Sequence, residues 1–181
     1  MVEYQGYILS PGGLTMASNK VQVIQNWPKP HKIKDIQSFL GFTNFYQCFI
    51  PQYSDITIPL TCLTHKEITW DFSNKCHSAF NMLKKAFITA LILVHWIPGS
   101  PLIIKLDASY YALATILSTI SLMDNELHPI TFHSHTFTPP KLSYDIHDKE
   151  LLTIFKAFKI WWNYFEGSPT LIDAVIDHKN L

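Results

Sequence analysis

Three acids in the second half of the chain stand where their charge is hard to accommodate. Asp107 closes the apolar run Leu102-Ile103-Ile104-Lys105-Leu106, and after Ala108, Ser109 and two tyrosines a second apolar run, Ala112 to Leu117, begins. A strand that ends on an acid and is followed at once by another strand puts that acid at the edge of a buried sheet. There a negative charge is costly unless a cation or a partner meets it. Asp177 repeats the device after Leu171-Ile172 and Ala174-Val175-Ile176. Glu150 lies in a helical stretch whose apolar stripe runs Leu151, Ile154, Phe155, Phe158, Trp161, Trp162 and Phe165. Its spacing puts it on the sheet-facing side of the helix start, whereas Asp148 and Lys149 point elsewhere and read as solvated. If the strands 102–107 and 171–176 are parallel neighbours, Asp107 and Asp177 emerge at one edge and Glu150 approaches both. Three carboxylates so close repel one another, which calls for divalent metal. Two hard cations about 4 Å apart on such acids suit in-line attack on a phosphodiester. Taken singly, each acid has a plainer reading: a strand-end Asp is often a turn former, and a helix-start Glu a favourable dipole contact.

The elements that must position these acids follow from hydrophobic period and punctuation. Residues 2–16 predict two short strands around the turn Ser10-Pro11-Gly12-Gly13. A helix from about Asn19 to Trp27 is stopped by Pro28 and Pro30. Apolar residues at 36, 39, 40, 42, 45, 46 and 49 have helical spacing, and Pro51 closes that segment. A short helix is expected around Ser54 to Leu63, a strand end at Trp70-Asp71-Phe72, and a helix over 74–90 with Ser73 as N-cap. Pro98 to Pro101 is the candidate boundary. Beyond it the period changes to strands at 102–107, 112–119 and 129–137, a long helix over about 145–165 with Asp145 as cap and Gly167 past its end, and a last strand at 171–176. Four strands and one helix make a mixed α/β sheet with one face uncovered, so the domain is expected to be unfinished.

Composition sets outer bounds. The chain has 181 residues, 48% hydrophobic and 15% charged, enough to bury a core but poor in charge. Lys plus Arg and Asp plus Glu are both 14, so any case for nucleic acid must be local rather than global. Cys48, Cys62 and Cys76 form no CxxC and are odd in number, which indicates neither a disulfide framework nor a zinc module. No signal peptide or transmembrane stretch is visible, and a soluble, intracellular (cytoplasmic or nuclear) chain without a membrane partner is expected. His133 and His135 fall on one strand face, but no further ligand is spaced to suit zinc. The aromatic stripe Phe39, Phe42, Phe45, Tyr46 and Phe49 reads as packed core rather than as a base-stacking platform.

Several stretches carry a resemblance. LDAS (106–109), LS (117–118), HPITFHS (128–134), LSYDIHDKELLTIFKAF (142–158), WWNYFEGSP (161–169) and DHKNL (177–181) resemble the RNase H domain in the pol polyprotein of gypsy-type LTR retrotransposons. Upstream, GYILSPGGLTM (6–16), KVQVIQNWPKP (20–30), IQSFLGFTNFYQCFI (36–50), PL (59–60) and FSNKCHSAFNMLKKAF (72–87) resemble the end of the reverse transcriptase and the helical region that connects it to the RNase H domain. The resemblance implies an α/β (α+β) chain: residues 1–97 a reverse-transcriptase C-terminal hairpin and helical connecting region, residues 98–181 the N-terminal part of a truncated RNase H-like mixed sheet. It also implies metal-dependent hydrolysis of the RNA strand of RNA–DNA hybrids. Asp107, Glu150 and Asp177 fall on the family's first three metal-binding acids, with two Mg²⁺ (or Mn²⁺) ions expected. The partners it implies are the hybrid and the rest of the polyprotein.

The family's fourth acid and its polymerase aspartates are expected outside this chain. Ala114 stands where the family usually has glycine, and Ile176 where threonine is common. Gln47-Cys48, His135 and Trp162-Asn163 replace positions where basic residues are often found, which weakens phosphate contacts. The alternative expectation is a catalytically inactive, decayed fragment acting at most as a nucleic-acid or protein binding module.

Overall fold

Three antiparallel strands open the chain, β1 (Val2–Tyr4), β2 (Tyr7–Ser10) and β3 (Gly13–Met16), in a computed structural model that describes residues 1–66, 68–121, 124–166, 168–169 and 171–176. The expected two strands are three because a second turn, Gln5-Gly6, breaks the first of them. Both of its residues have positive φ, 50° and 82°, as a tight hairpin connection requires. Glycine is needed at position 6 for a second reason: a Cβ there would collide with the Tyr46 hydroxyl.

Helices α1 (Ser18–Gln25), α2 (Ile33–Phe45), α3 (Tyr53–Cys62) and α4 (Asn74–Ile88) follow, with a 3-10 turn at Gln47–Phe49. They close around a core of Phe39, Phe49, Leu60, Leu83 and Phe87, all essentially inaccessible to solvent. No strand forms at Trp70–Phe72. The two rings stack on each other at 6.0 Å and Phe72 meets Phe80 edge-on, so side-chain packing on α4 replaces a ladder. Ser73 takes the N-cap position of α4, yet its hydroxyl bonds Cys76 Sγ at 3.5 Å rather than capping a backbone N–H.

The second half is a mixed four-stranded sheet of β4 (Leu102–Ala108), β5 (Ala112–Ile120), β6 (Leu127–Thr136) and β7 (Ile172–Ile176), in the order β6-β5-β4-β7. β4 and β7 are parallel neighbours; the other pairs are antiparallel. A parallel pair needs a crossover. It is made by α5 (Pro139–Leu142), α6 (Ile146–Ile160) and α7 (Trp162–Phe165). The helix expected over 145–165 therefore breaks at Trp161 (φ −105°, ψ 20°), whose ring is buried against the sheet with Ala157 and Phe165. Gly167 lies outside the described residues.

The face expected to be bare is partly covered. The 3-10 turn and α3 pack on β6 and β5, so that Ile116 and Phe132 join the first core, and the Ser54 N–H donates to Ser134 Oγ at 2.8 Å. Among the described residues no helix is long and apolar enough to cross a membrane.

Candidate functional site

Strand alternation decides where Asp107 points. Leu102, Ile104 and Leu106 are buried in the cluster beneath α6, so the intervening Lys105 and Asp107 face the other way. There they line a cavity of about 460 Å³ with Pro51, Gln52, Ile116 and Val175. This is the part of the second face that α3 leaves open. Gln52 Nε2 donates to Asp107 Oδ2 at 3.0 Å. Gln52 is the N-cap of α3 and holds a left-handed backbone (φ 52°, ψ 30°), a conformation that non-glycine residues adopt only where the surroundings enforce it.

One turn further along α3, Asp55 Oδ1 accepts the hydroxyl of Ser109 at 2.7 Å. Burial raises the Asp55 carboxyl above the ordinary carboxylate range; the Ser109 bond opposes this, and the charge of nearby Asp107 adds to it. The end of β4 is thus tied to the start of α3 at two points. The sequence reading missed both residues, because nothing in the spacing links positions 52 and 55 to a strand end more than 50 residues away.

Glu150 is buried on the sheet side of α6 with Thr153 and Ala157, as its helical phase predicts. It is 7% exposed, and its ion partner is His147, with Nδ1 3.9 Å from Oε2. Lys149, expected in solvent, is instead 5% exposed. Its ammonium lies 4.7 Å from the Tyr110 ring centroid and 5.6 Å from that of Phe137, so two aromatic faces supply what water would. That contact brings the start of α6 to the end of the sheet where Asp107 lies, since Tyr110 follows Asp107 by three residues. The two acids nonetheless belong to elements on different sides of the sheet: Glu150 to the helix covering one face, Asp107 to the face shared with α3.

The β4–β7 ladder runs from Leu102↔Ile172 to Leu106↔Ile176, the last described pair. Asp177 follows Ile176 in the sequence and lies outside the described residues, as does the rest of DHKNL. Among the described residues, no group of three or more His, Cys, Asp and Glu side chains is arranged to hold a metal. His133 and His135 line a separate groove with Asn44, Gln47 and Thr61. Burial lowers the pKa of both, with each further depressed by neighbouring positive charge (His135 and Lys156 for His133, Lys156 and Lys141 for His135).

The segment that carries β4, β5, β6 and the crossover helix with Glu150 falls within the reach of a known family. Residues 72–172, more than half of the chain, match the RNase H-like domain found in reverse transcriptase. The chain belongs to that family. The match takes in α4 as well as most of the sheet. Along its length the chain is also similar to the Transposon Tf2-3 polyprotein of Schizosaccharomyces pombe, 29% identical over 180 residues, which is 99% of this chain and 13% of that protein. The Transposon Tf2-4 polyprotein of the same organism is equally similar. Among solved structures, the foamy viral protease-reverse transcriptase in complex with RNA/DNA hybrid superposes with a TM-score of 0.79 at 25% identity, covering 99% of this chain and 24% of that one. A foamy viral protease-reverse transcriptase in complex with double-stranded DNA gives 0.78 at 25% identity, covering 99% and 37%. The RNase H-like chain is therefore similar, over 99% of its length, to a segment of retrotransposon polyproteins and of the foamy viral protease-reverse transcriptase. It spans about an eighth of the length of its transposon relatives.

Proposed function

We propose that the RNase H-like chain contributes the first three acids of a metal-dependent ribonuclease that cuts the RNA strand of RNA–DNA hybrids. The observation that carries this reading is the parallel pairing of β4 with β7, which sets the strand that carries Asp107 near its end beside the strand that precedes Asp177 in the sequence. In this reading residues 1–97 are the reverse-transcriptase hairpin and connecting region, and residues 98–181 the N-terminal part of the nuclease domain.

The donor types, rather than a formed cluster, are those a hard divalent cation takes: Asp107 opens on a cavity beside α3, and Glu150 is a shielded carboxyl on the α6 side of the sheet with an imidazole 3.9 Å away. Among the described residues no three such groups converge. Asp107, Glu150 and Asp177 would hold Mg²⁺ or Mn²⁺, which supplies a Lewis acid for the phosphoryl oxygens and an activated water when bound. The protein's own part is to hold the acids and the strand. Lys105 lines the cavity beside Asp107 and offers a cation to a backbone phosphate, while the Tyr110–Phe137 cage holds Lys149 near the same end of the sheet. Similarity to a reverse transcriptase bound to RNA/DNA hybrid supports the choice of substrate.

The test is cleavage of a hybrid labelled on its RNA strand, in Mg²⁺ or Mn²⁺, by the native chain and by Asp107→Asn. Cleavage lost in the variant supports the reading; equal cleavage by both overturns it. Hybrid binding without cleavage, unchanged in a segment extended past residue 181, assigns the chain instead to the inactive binding-module reading.

A further inference from the structure

Asp55 and Gln52 lie before residue 72, outside the matched family segment, yet Gln52 reaches Asp107 at the end of β4 and Asp55 reaches Ser109 in the turn that follows it. The centre of that turn is Ser109. Its hydroxyl oxygen accepts the backbone N–H of Ala112 at 3.0 Å and of Tyr111 at 3.3 Å, while the Ser109 N–H donates to the Ala112 carbonyl at 2.8 Å. One hydroxyl proton remains, and two acceptors stand within reach: Asp55 Oδ1 at 2.7 Å and the Ala112 carbonyl at 2.9 Å. The carboxylate is the nearer and the stronger acceptor, and the Ala112 carbonyl already has a donor, so the proton goes to Asp55. The turn is closed by its own backbone and anchored to α3 by Asp55. On the other side of Asp107, Gln52 donates to the carboxylate itself.

We propose that Asp55 and Gln52 are positioning residues for the Asp107 carboxylate, clamping the end of β4 and the turn after it from the start of α3. The clamp makes the helical region part of the site: α3 covers β5 and β6, and its first turn sets the edge of β4. Its functional meaning rests on the reading of Asp107 as a metal-holding acid; the clamp itself does not.

Two readouts on the full chain separate these claims. The first is backbone amide exchange at Ser109 and Ala112. Asp55→Ala is expected to speed it by roughly tenfold, the size of a lost hydrogen bond to a charged group. Asp55→Asn keeps an acceptor for Ser109 and stays close to native, and exchange within α4 is unchanged in both. Native-like protection in Asp55→Ala overturns the clamp, as does an acceleration that spreads equally to α4. The second is Mn²⁺ affinity, read from paramagnetic broadening around Asp107. Ser109→Ala leaves both carboxylates in place, so a loss of roughly tenfold, restored by Ser109→Thr, identifies positioning rather than charge. Unchanged affinity in Ser109→Ala with a loss only in Asp55→Ala overturns it. If the native chain binds no Mn²⁺, the ribonuclease reading fails for this chain, and the exchange result still decides the clamp.

Discussion

The two cores of the molecule are built from different side chains. The first is aromatic: Phe39 lies 4.6 Å from Phe80 and 5.5 Å from Trp27, and Tyr46 meets the rings of Tyr7, Phe42, Phe45 and Phe87. The second is aliphatic at the sheet, with Leu102, Ile104, Leu106, Leu117 and Ile130 under Trp161 and Phe165. Helices crossing at varied angles leave irregular gaps, and large rings fill them; a sheet brings its own backbone ladder and needs only branched side chains on an even surface. The first core is filled mostly from its own helices and takes in Phe132 from the sheet. The second leans on α6 at one face and borrows the first core, through Ile116 and Phe132, at the other. The proposed site lies where this borrowing stops.

Substitutions can break or sharpen that contrast. Phe39→Ala should remove about 3–5 kcal/mol in urea denaturation, because a fully buried ring with several aromatic neighbours leaves a cavity that cannot collapse. If the sheet were independent, its transition would stay where it is in that variant. The shared core predicts that helix and sheet probes shift together. Ser134→Ala strips the buried Ser54 N–H of its acceptor and should cost about 1–3 kcal/mol, again with both probes moving. A smaller effect follows from His133. Its folded-state pKa is depressed, chiefly by burial, so its contribution to stability is present above the unfolded value of 6.5 and is lost as pH falls from there through the folded value. A stability–pH curve for His133→Gln should be flatter over that window than the native one, and parallel curves would rule the contribution out. Smallest of all, Phe155→Ser should change stability by no more than about 0.5 kcal/mol, because the ring is 62% exposed.

Particular residues show how far the chain could be read from its letters. The strands around Asp107, a last strand at 172–176 and the helix bearing Glu150 were all legible, because period and punctuation are local and strong there; the parallel pairing of that last strand entered only as a condition, and the ladder supplied it. The same helix shows the limit. Its apolar residues form a band wider than one face, and only packing could choose the seam: Thr153, Ala157 and Trp161 turn inward, while Leu151, 65% exposed, and Phe155 turn out. Lys149 went the other way, since two rings distant in sequence made burial of its stem and ammonium acceptable. The Gln5-Gly6 turn was hidden by the more conspicuous Ser10–Gly13 beside it.

By itself the sequence determined the fold class, the family, and that Asp107 stands near the end of a half-buried strand and Glu150 on the buried side of a helix, for these depend on alternation and neighbours along the chain. Tertiary structure alone decided that Asp107 opens toward α3, that Gln52 bonds its carboxylate and Asp55 the Ser109 hydroxyl, and that the helical region covers part of the second face. Contacts between positions some 50 to 80 residues apart leave no period to read. They exist only once two surfaces have met.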